Sequence, residues 1–245
     1  MRKSLIRFYR SVTVIFLFIL FGCGALFERY FIFPFQSGKN QNYNTLHKSW
    51  KFFINLMQKL KIIKLSVDNM PKIEGIKNSI IVSTHPSFID VLILMSIIPN
   101  STCFVAKRLA DNPFLKGMVK LLFILENQTV EEMINETKEK LDEGLNVIIF
   151  PMGIRHRKHE TPKIRRGTAL IAQKMKKNIV LLDMETSFDF LQINQPIYDA
   201  GEEAVEYKLQ YLGEIDIKNY LDKYSDEVTF NTIITRQIGK ILYNI

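Results

Sequence analysis

His85 and Asp90 stand five residues apart in the stretch STHPSFID, residues 83–90, directly after the apolar pair Ile81-Val82. An aspartate bonded to one ring nitrogen of a histidine fixes its tautomer and leaves the other nitrogen as a base, able to take a proton from a hydroxyl. Inside one helix, residues five apart diverge by about 140° at roughly 3.6 residues per turn, so the two cannot both act from a helix interior. Pro86 suits a first helical position, because it lacks the N–H that would be unsatisfied there. The spacing therefore predicts a helix over 86–98, with His85 just outside it and Asp90 in its second turn. The competing reading makes His85 a helix cap and Asp90 a solvated carboxylate.

Two further stretches offer cations to an anionic ligand. Lys107-Arg108 follows one short apolar run, and FPMGIR at 150–155 turns sharply after another. Gly153 lets backbone approach a ligand, and Arg155 offers a planar fork suited to bidentate phosphate binding. His156, Arg157, Lys158 and His159 extend a basic loop, and Lys163, Arg165 and Arg166 follow. Most of these outer residues read as a solvated or lipid-facing loop. His156 and His159 have a metal-compatible spacing, but no carboxylate or cysteine cluster stands with them, so no metal is expected.

Elements that could position these residues alternate along the chain. Strands are expected over 79–82, 102–106, 121–125, 146–150 and 178–184, and helices over 86–98, 113–120, 130–143 and 166–176. A further strand in YKLQYLGEIDI and a closing helix from about Asp226 complete the pattern. Strands alternating with helices predict an α/β layered domain with a mostly parallel central sheet, whose ligand sites gather beyond the carboxyl ends of the strands.

Ahead of that domain, Arg2, Lys3, Arg7 and Arg10 precede an uncharged apolar run over 12–27. Those residues would span about 24 Å as a helix, short of the roughly 30 Å hydrocarbon core of a bilayer. Two readings stand: a tilted transmembrane helix, or a segment embedded mainly in one leaflet. A cleaved signal peptide would need a small-residue cleavage site, and none is convincing. The positive flank puts residues 1–10 on the cytoplasmic side. Leu46, Trp50, Phe53, Met57 and Leu60 then form an amphipathic stripe with Lys48, Lys51, Lys59, Lys61 and Lys64 between them. That helix either packs on the domain core or lies on anionic lipid. The division expected is an N-terminal membrane anchor over 1–35, a connector and amphipathic helix over 36–70, and the α/β domain over 71–245.

The 245 residues include 33 Lys+Arg against 25 Asp+Glu, a formal net charge of +8. That excess suits phospholipid headgroups, phosphorylated metabolites or an acidic carrier protein. Nucleic acid would also fit the charge, but no nucleic-acid motif is present, so no nucleic-acid partner is expected. Cys23 and Cys103 make no disulfide framework, which favours a reduced, cytosol-facing domain.

Taken in order, these stretches resemble the glycerolipid acyltransferases of the 1-acylglycerol-3-phosphate (PlsC) type. H-x4-D is met by His85 and Asp90, a following basic segment by FVAKRLADNPFLKG, and F-P-E-G-T-R by residues 150–155; RRGTA at 165–169 looks like the helix start that follows. The likeness runs over roughly residues 78–188. It implies that His85 takes the proton from a lysophospholipid hydroxyl while Asp90 orients the ring, and that the oxygen attacks the thioester of an acyl-CoA or acyl-carrier protein. It implies no cofactor beyond that co-substrate, and a place at the cytoplasmic membrane with the domain facing the cytoplasm. Lys107, Pro151, Gly153, Arg155 and Arg166 would bind substrate. Met152 and Ile154 depart from the family glutamate and threonine, and Leu181 stands where a proline is usual. Those departures support an alternative, a catalytically impaired or non-catalytic lipid-binding homologue.

Overall fold

The computed structural model describes residues 2–126, 128–153, 163–191 and 199–245. Seven strands form one sheet: β1 (Ile63–Val67), β2 (Ile80–Ser83), β3 (Ser101–Val105), β4 (Ile124–Leu125), β5 (Asn146–Ile149), β6 (Ile179–Thr186) and β7 (Val205–Ile215). Their spatial order is β1-β7-β6-β2-β5-β3-β4, and every pairing is parallel except β6 with β7. The mostly parallel α/β sheet expected from the alternating pattern is present, with β2 at its centre.

Each central strand is buried on both faces, so alternate residues feed two apolar layers. Ile81 and Ile148 point into one layer. Ile80, Val82, Val147 and Ile149 point into the other. The first layer is covered by α1 (Arg2–Phe27), α2 (Lys39–Lys59) and α4 (Asp90–Ile97), with α6 (Lys116–Leu122) at its edge. The second is covered by α7 (Val130–Asp142), α8 (Gly167–Met175), α9 (Ile217–Lys223) and α10 (Glu227–Tyr243). Two short helices, α3 (Met70–Glu74) and α5 (Lys107–Ala110), lie in connections.

Cap chemistry sets several ends. Thr129 and Glu132 form a reciprocal capping box on α7, which satisfies two otherwise orphan N–H groups. Asp226 accepts from Thr229 N at 2.7 Å and starts α10 where the sequence places it.

Four elements differ from the sequence expectation. The helix expected from Pro86 begins instead at Asp90. Ser87 donates its N–H and hydroxyl to Asp90, and such local side-chain bonds compete with helical ones. Likewise the helix expected from Pro113 begins at Lys116, after a turn in which Asn112 Oδ1 accepts from Phe114 N and Leu115 N. That helix runs on to Leu122, leaving only Ile124–Leu125 of the strand expected over 121–125. Finally α2 stops at Lys59, and Lys61 takes a positive φ of 56°. Lys64 therefore sits in β1, bonded to Glu206 at 2.8 Å, and the sheet begins at Ile63 rather than after residue 70.

The amphipathic helix packs inward. Tyr43, Leu46, Trp50, Phe53, Ile54 and Met57 are buried, whereas Leu60 falls beyond the helix and is 44% exposed. Its stripe is spent on the domain core, with His47 Nδ1 2.8 Å from Met95 O of α4.

Helix α1 also docks. Arg10 donates to the carbonyls of Lys61, Ile62, Ala200 and Glu203, clamping the helix to the β1 edge of the sheet. Val14, Leu17 and Ala25 are buried, and the Phe21 ring lies 4.9 Å from that of Phe53. The opposite face leaves Phe8, Val12, Phe16, Ile19 and Phe27 exposed. By length and composition, residues Lys3–Phe35 could cross a membrane.

Candidate active site

Strand β2 ends at Ser83, and the next two residues set the site. Thr84 Oγ1 accepts from Met184 N at 2.7 Å and lies 2.8 Å from Asp183 Oδ1, tying the strand end to β6. The chain then turns over 85–89 before α4 begins. This holds His85 outside the helix and brings its Nδ1 within 3.1 Å of Asp90 Oδ2. The ring stacks on Phe150, centroid to centroid 4.0 Å, at the end of β5.

Asp90 is fully buried, and a buried carboxylate is costly unless its oxygens are satisfied. Ser87 N donates to Oδ2 and Ser87 Oγ to Oδ1, each at 2.7 Å. Tyr207 of β7 donates its hydroxyl to Ser87 Oγ at 2.9 Å. Burial, with the Asp90 charge adding to it, pushes the Tyr207 phenol well up, so it stays a neutral donor. A chain Tyr207–Ser87–Asp90–His85 thus fixes the imidazole. With Asp90 accepting from Nδ1–H, the second ring nitrogen is left with a lone pair that can accept a proton.

His85 lines an apolar cavity of about 360 Å³. Phe21 of α1, Trp50 of α2, Phe88, Phe104 and Phe123 form much of its wall, and Trp50 stacks on Phe123 at 5.8 Å. The two N-terminal helices therefore complete the site as well as precede the domain. Polar groups in the lining are few: His85, Arg108 and Glu126. Burial pushes Glu126 up from the ordinary carboxylate range, while the charges of Arg165 and His85 pull it back. Burial also pushes the Cys103 thiol well up, which makes it inert rather than a nucleophile. Among the described residues no cluster of His, Cys, Asp and Glu could hold a metal.

The other expected site residues separate. Pro151 is buried and its carbonyl accepts from Arg165 N at 2.8 Å. Gly153 lines the cavity at φ +68°, and a Cβ there would lie 2.5 Å from the Arg165 guanidinium carbon. Lys107 is exposed at the start of α5 and outside the cavity lining, where Arg108 stands instead. Arg166 is exposed at the start of α8, so the cation beside the turn is its neighbour Arg165. Arg155, His156 and His159 lie outside the described residues.

The acyltransferase family model matches residues 64–184. Over 158 residues the chain is 26% identical to the 1-acyl-sn-glycerol-3-phosphate acyltransferase of Helicobacter pylori strain J99, a match that covers 60% of this chain and 62% of that relative. The fold is similar to the crystal structure of the 1-acyl-sn-glycerophosphate (LPA) acyltransferase PlsC from Thermotoga maritima, with a TM-score of 0.68 at 16% identity over all of this chain and 97% of that one. The chain is thus similar to PlsC-type acyltransferases, in sequence over residues 64–184 and in fold over its whole length.

Met152, where the resemblance expects a glutamate, is buried, 7% exposed. The carboxylate that lines the cavity is Glu126, from the end of β4. Leu181 is fully buried in β6, beside the register shift against β7. Sequence reading singled out neither Glu126 nor the positioning pair Ser87 and Tyr207. Ser87 lies inside the H-x4-D stretch and was in view there. Tyr207 is 120 residues away from it and carries no local signal.

Proposed function

We propose that the protein transfers a fatty acyl group from acyl-CoA or acyl-carrier protein to the free hydroxyl of a lysophospholipid, 1-acylglycerol-3-phosphate being the favoured acceptor. The observation that carries this reading is the His85–Asp90 pair, 3.1 Å apart, at the wall of an apolar cavity of about 360 Å³. The free nitrogen of His85 takes the proton from the acceptor hydroxyl, and the oxygen attacks the thioester carbonyl. A C–O bond forms, the C–S bond breaks, and the proton passes from the imidazole to the departing thiolate. No acyl-enzyme is needed, consistent with the absence of a reactive serine or cysteine beside His85 among the described residues. The aromatic cavity suits the acyl chain. Arg108 and Arg165 suit the acceptor phosphate, and the sequence offers Arg155 as a further cation for it.

The reading includes membrane attachment through one leaflet. Arg10 is bonded to four carbonyls of the domain, and α1 buries one face against it while its other face stays apolar and exposed. A helix docked along its length in this way fits an interfacial anchor better than a spanning one. Lysophospholipid and long acyl chains then reach the cavity from the bilayer, with the domain on the cytoplasmic side.

A second reading is favoured by Met152, an apolar residue where the family has a carboxylate: a lipid-binding homologue without turnover. One assay decides between them. Protein in mixed micelles is given lysophosphatidic acid and radiolabelled acyl-CoA or acyl-carrier protein, beside His85→Ala. The enzyme reading expects product from the wild type and a loss of at least about a hundredfold on removal of the base. Wild-type turnover by His85→Ala would sink the mechanism. Binding of lysophosphatidic acid without product from either protein would establish the second reading.

A further inference from the structure

Helix α6 has two working faces. Leu115, just before it, with Met118 and Val119 lines the cavity, while Lys116, Gly117, Lys120 and Leu121 line a separate groove of about 380 Å³ on the other side. The groove's second wall is the end of α1 and the turn that follows, with Leu26, Arg29 and Tyr30. Its cations are Arg29, Lys116 and Lys120. Among the described residues no carboxylate lines it, and none of the three has an acidic partner.

Two close approaches build this groove. A Cβ on Gly117 would lie 2.9 Å from Arg29 Cγ, so the arginine stem lies directly on the helix backbone. A glycine within a helix costs about 1 kcal/mol relative to alanine, a cost offset here by the seat it makes for Arg29. A Cβ on Gly22 would meet the Phe114 ring at 3.2 Å, which seats α1 on the loop before α6. The rim is aromatic: Tyr30 and Phe31 are 64% and 65% exposed, and Phe31 stacks on Phe27 at 5.3 Å. Exposed aromatic rings around clustered cations, beside an apolar helix face, are the pattern of a lipid–water boundary.

We propose that this groove binds the phosphate of an anionic phospholipid of the bilayer, whose chains run along the exposed face of α1. The inference rests on the membrane attachment proposed above and adds a headgroup site distinct from the acceptor site, since α6 stands between the two. Because α6 also walls the cavity, a lipid held here keeps the cavity next to the bilayer.

The test is vesicle flotation of the full chain on phosphatidylcholine alone and on phosphatidylcholine mixed with phosphatidylglycerol. The variant Arg29→Gln/Lys116→Gln/Lys120→Gln is expected to bind the mixed vesicles about a hundredfold more weakly, roughly fivefold per cation, and to bind neutral vesicles as the wild type does. A control, Lys218→Gln/Lys223→Gln/Lys240→Gln, removes three exposed cations from α9 and α10 on the opposite layer and should bind both vesicles normally. Equal loss in the two variants, or no loss in the first, overturns the headgroup site. Displacement of the wild type from mixed vesicles by coenzyme A would assign the groove to a soluble phosphate instead, and also overturns it. Wild type bound to neither vesicle refutes membrane attachment itself, a result separable from the others.

Discussion

Replacing Ser87 by alanine removes the middle of a buried relay, and its cost can be worked from the contacts. Ser87 Oγ donates to the fully buried Asp90 at 2.7 Å and accepts from Tyr207 at 2.9 Å. A hydrogen bond to a charged group contributes about 1.5–3 kcal/mol, and a buried hydroxyl left without a partner costs about 1–3 kcal/mol. Ser87→Ala should therefore destabilise the fold by roughly 3–5 kcal/mol. Tyr207→Phe alone loses a neutral hydrogen bond worth about 1 kcal/mol. In Ser87→Ala/Tyr207→Phe the stranded phenol is gone, so the pair should be about 1–2 kcal/mol more stable than Ser87→Ala by itself. Urea unfolding in detergent micelles measures all three variants. Simple additivity makes the opposite forecast, a double variant about 1 kcal/mol less stable than the single, and that result would refute the relay. In the acyl-transfer assay Ser87→Ala should lower kcat while leaving the acceptor KM near wild type, because it loosens the orientation of His85 rather than a substrate contact.

Two other outcomes follow from the turn and from the cavity carboxylate. Gly153→Ala places a methyl group at φ +68° and within 2.5 Å of the Arg165 guanidinium, so it should cost at least about 1–2 kcal/mol and displace the arginine. Thermal unfolding and a raised KM for lysophosphatidic acid, with thioester KM unchanged, would check this. Glu126 is pushed up chiefly by burial, so its charged form is disfavoured in the folded state. Its penalty is absent below the ordinary carboxylate pKa near 4.3 and grows as pH rises through the raised folded value. Glu126→Gln should thus raise Tm at about pH 8 and leave it unchanged near about pH 4; a stabilisation equal at both ends would contradict the burial assignment.

Much of the centre of this fold was legible in the sequence, because parallel strands buried on both faces must be short continuous apolar runs. Ile80–Ser83, Asn146–Ile149 and Ile179–Thr186 each fall within a residue or two of expectation. The edge was less legible. Residues 60–67 begin as the end of a helical stripe, and only pairing with β7 makes Ile63–Val67 a strand. Lys107 and Arg166 illustrate a second limit: adjacent cations are equivalent in sequence, and tertiary packing decides that Arg108 lines the cavity and Arg165 lies against Gly153 instead.

Alone, the sequence determined that His85 and Asp90 can meet only with His85 outside the helix that carries Asp90, since residues five apart within one helix point away from each other, and it carried the ordered motifs of the resemblance. Only tertiary structure decided how the pair is held. The helix starts at Asp90 rather than Pro86 because Ser87 satisfies a buried carboxylate, and Ser87 is itself held by Tyr207 from a strand 120 residues away. The same holds for the N-terminal helix. Composition makes it apolar, but only packing shows which face meets the cavity and which is left exposed, because burial is a property of neighbours that local sequence does not name.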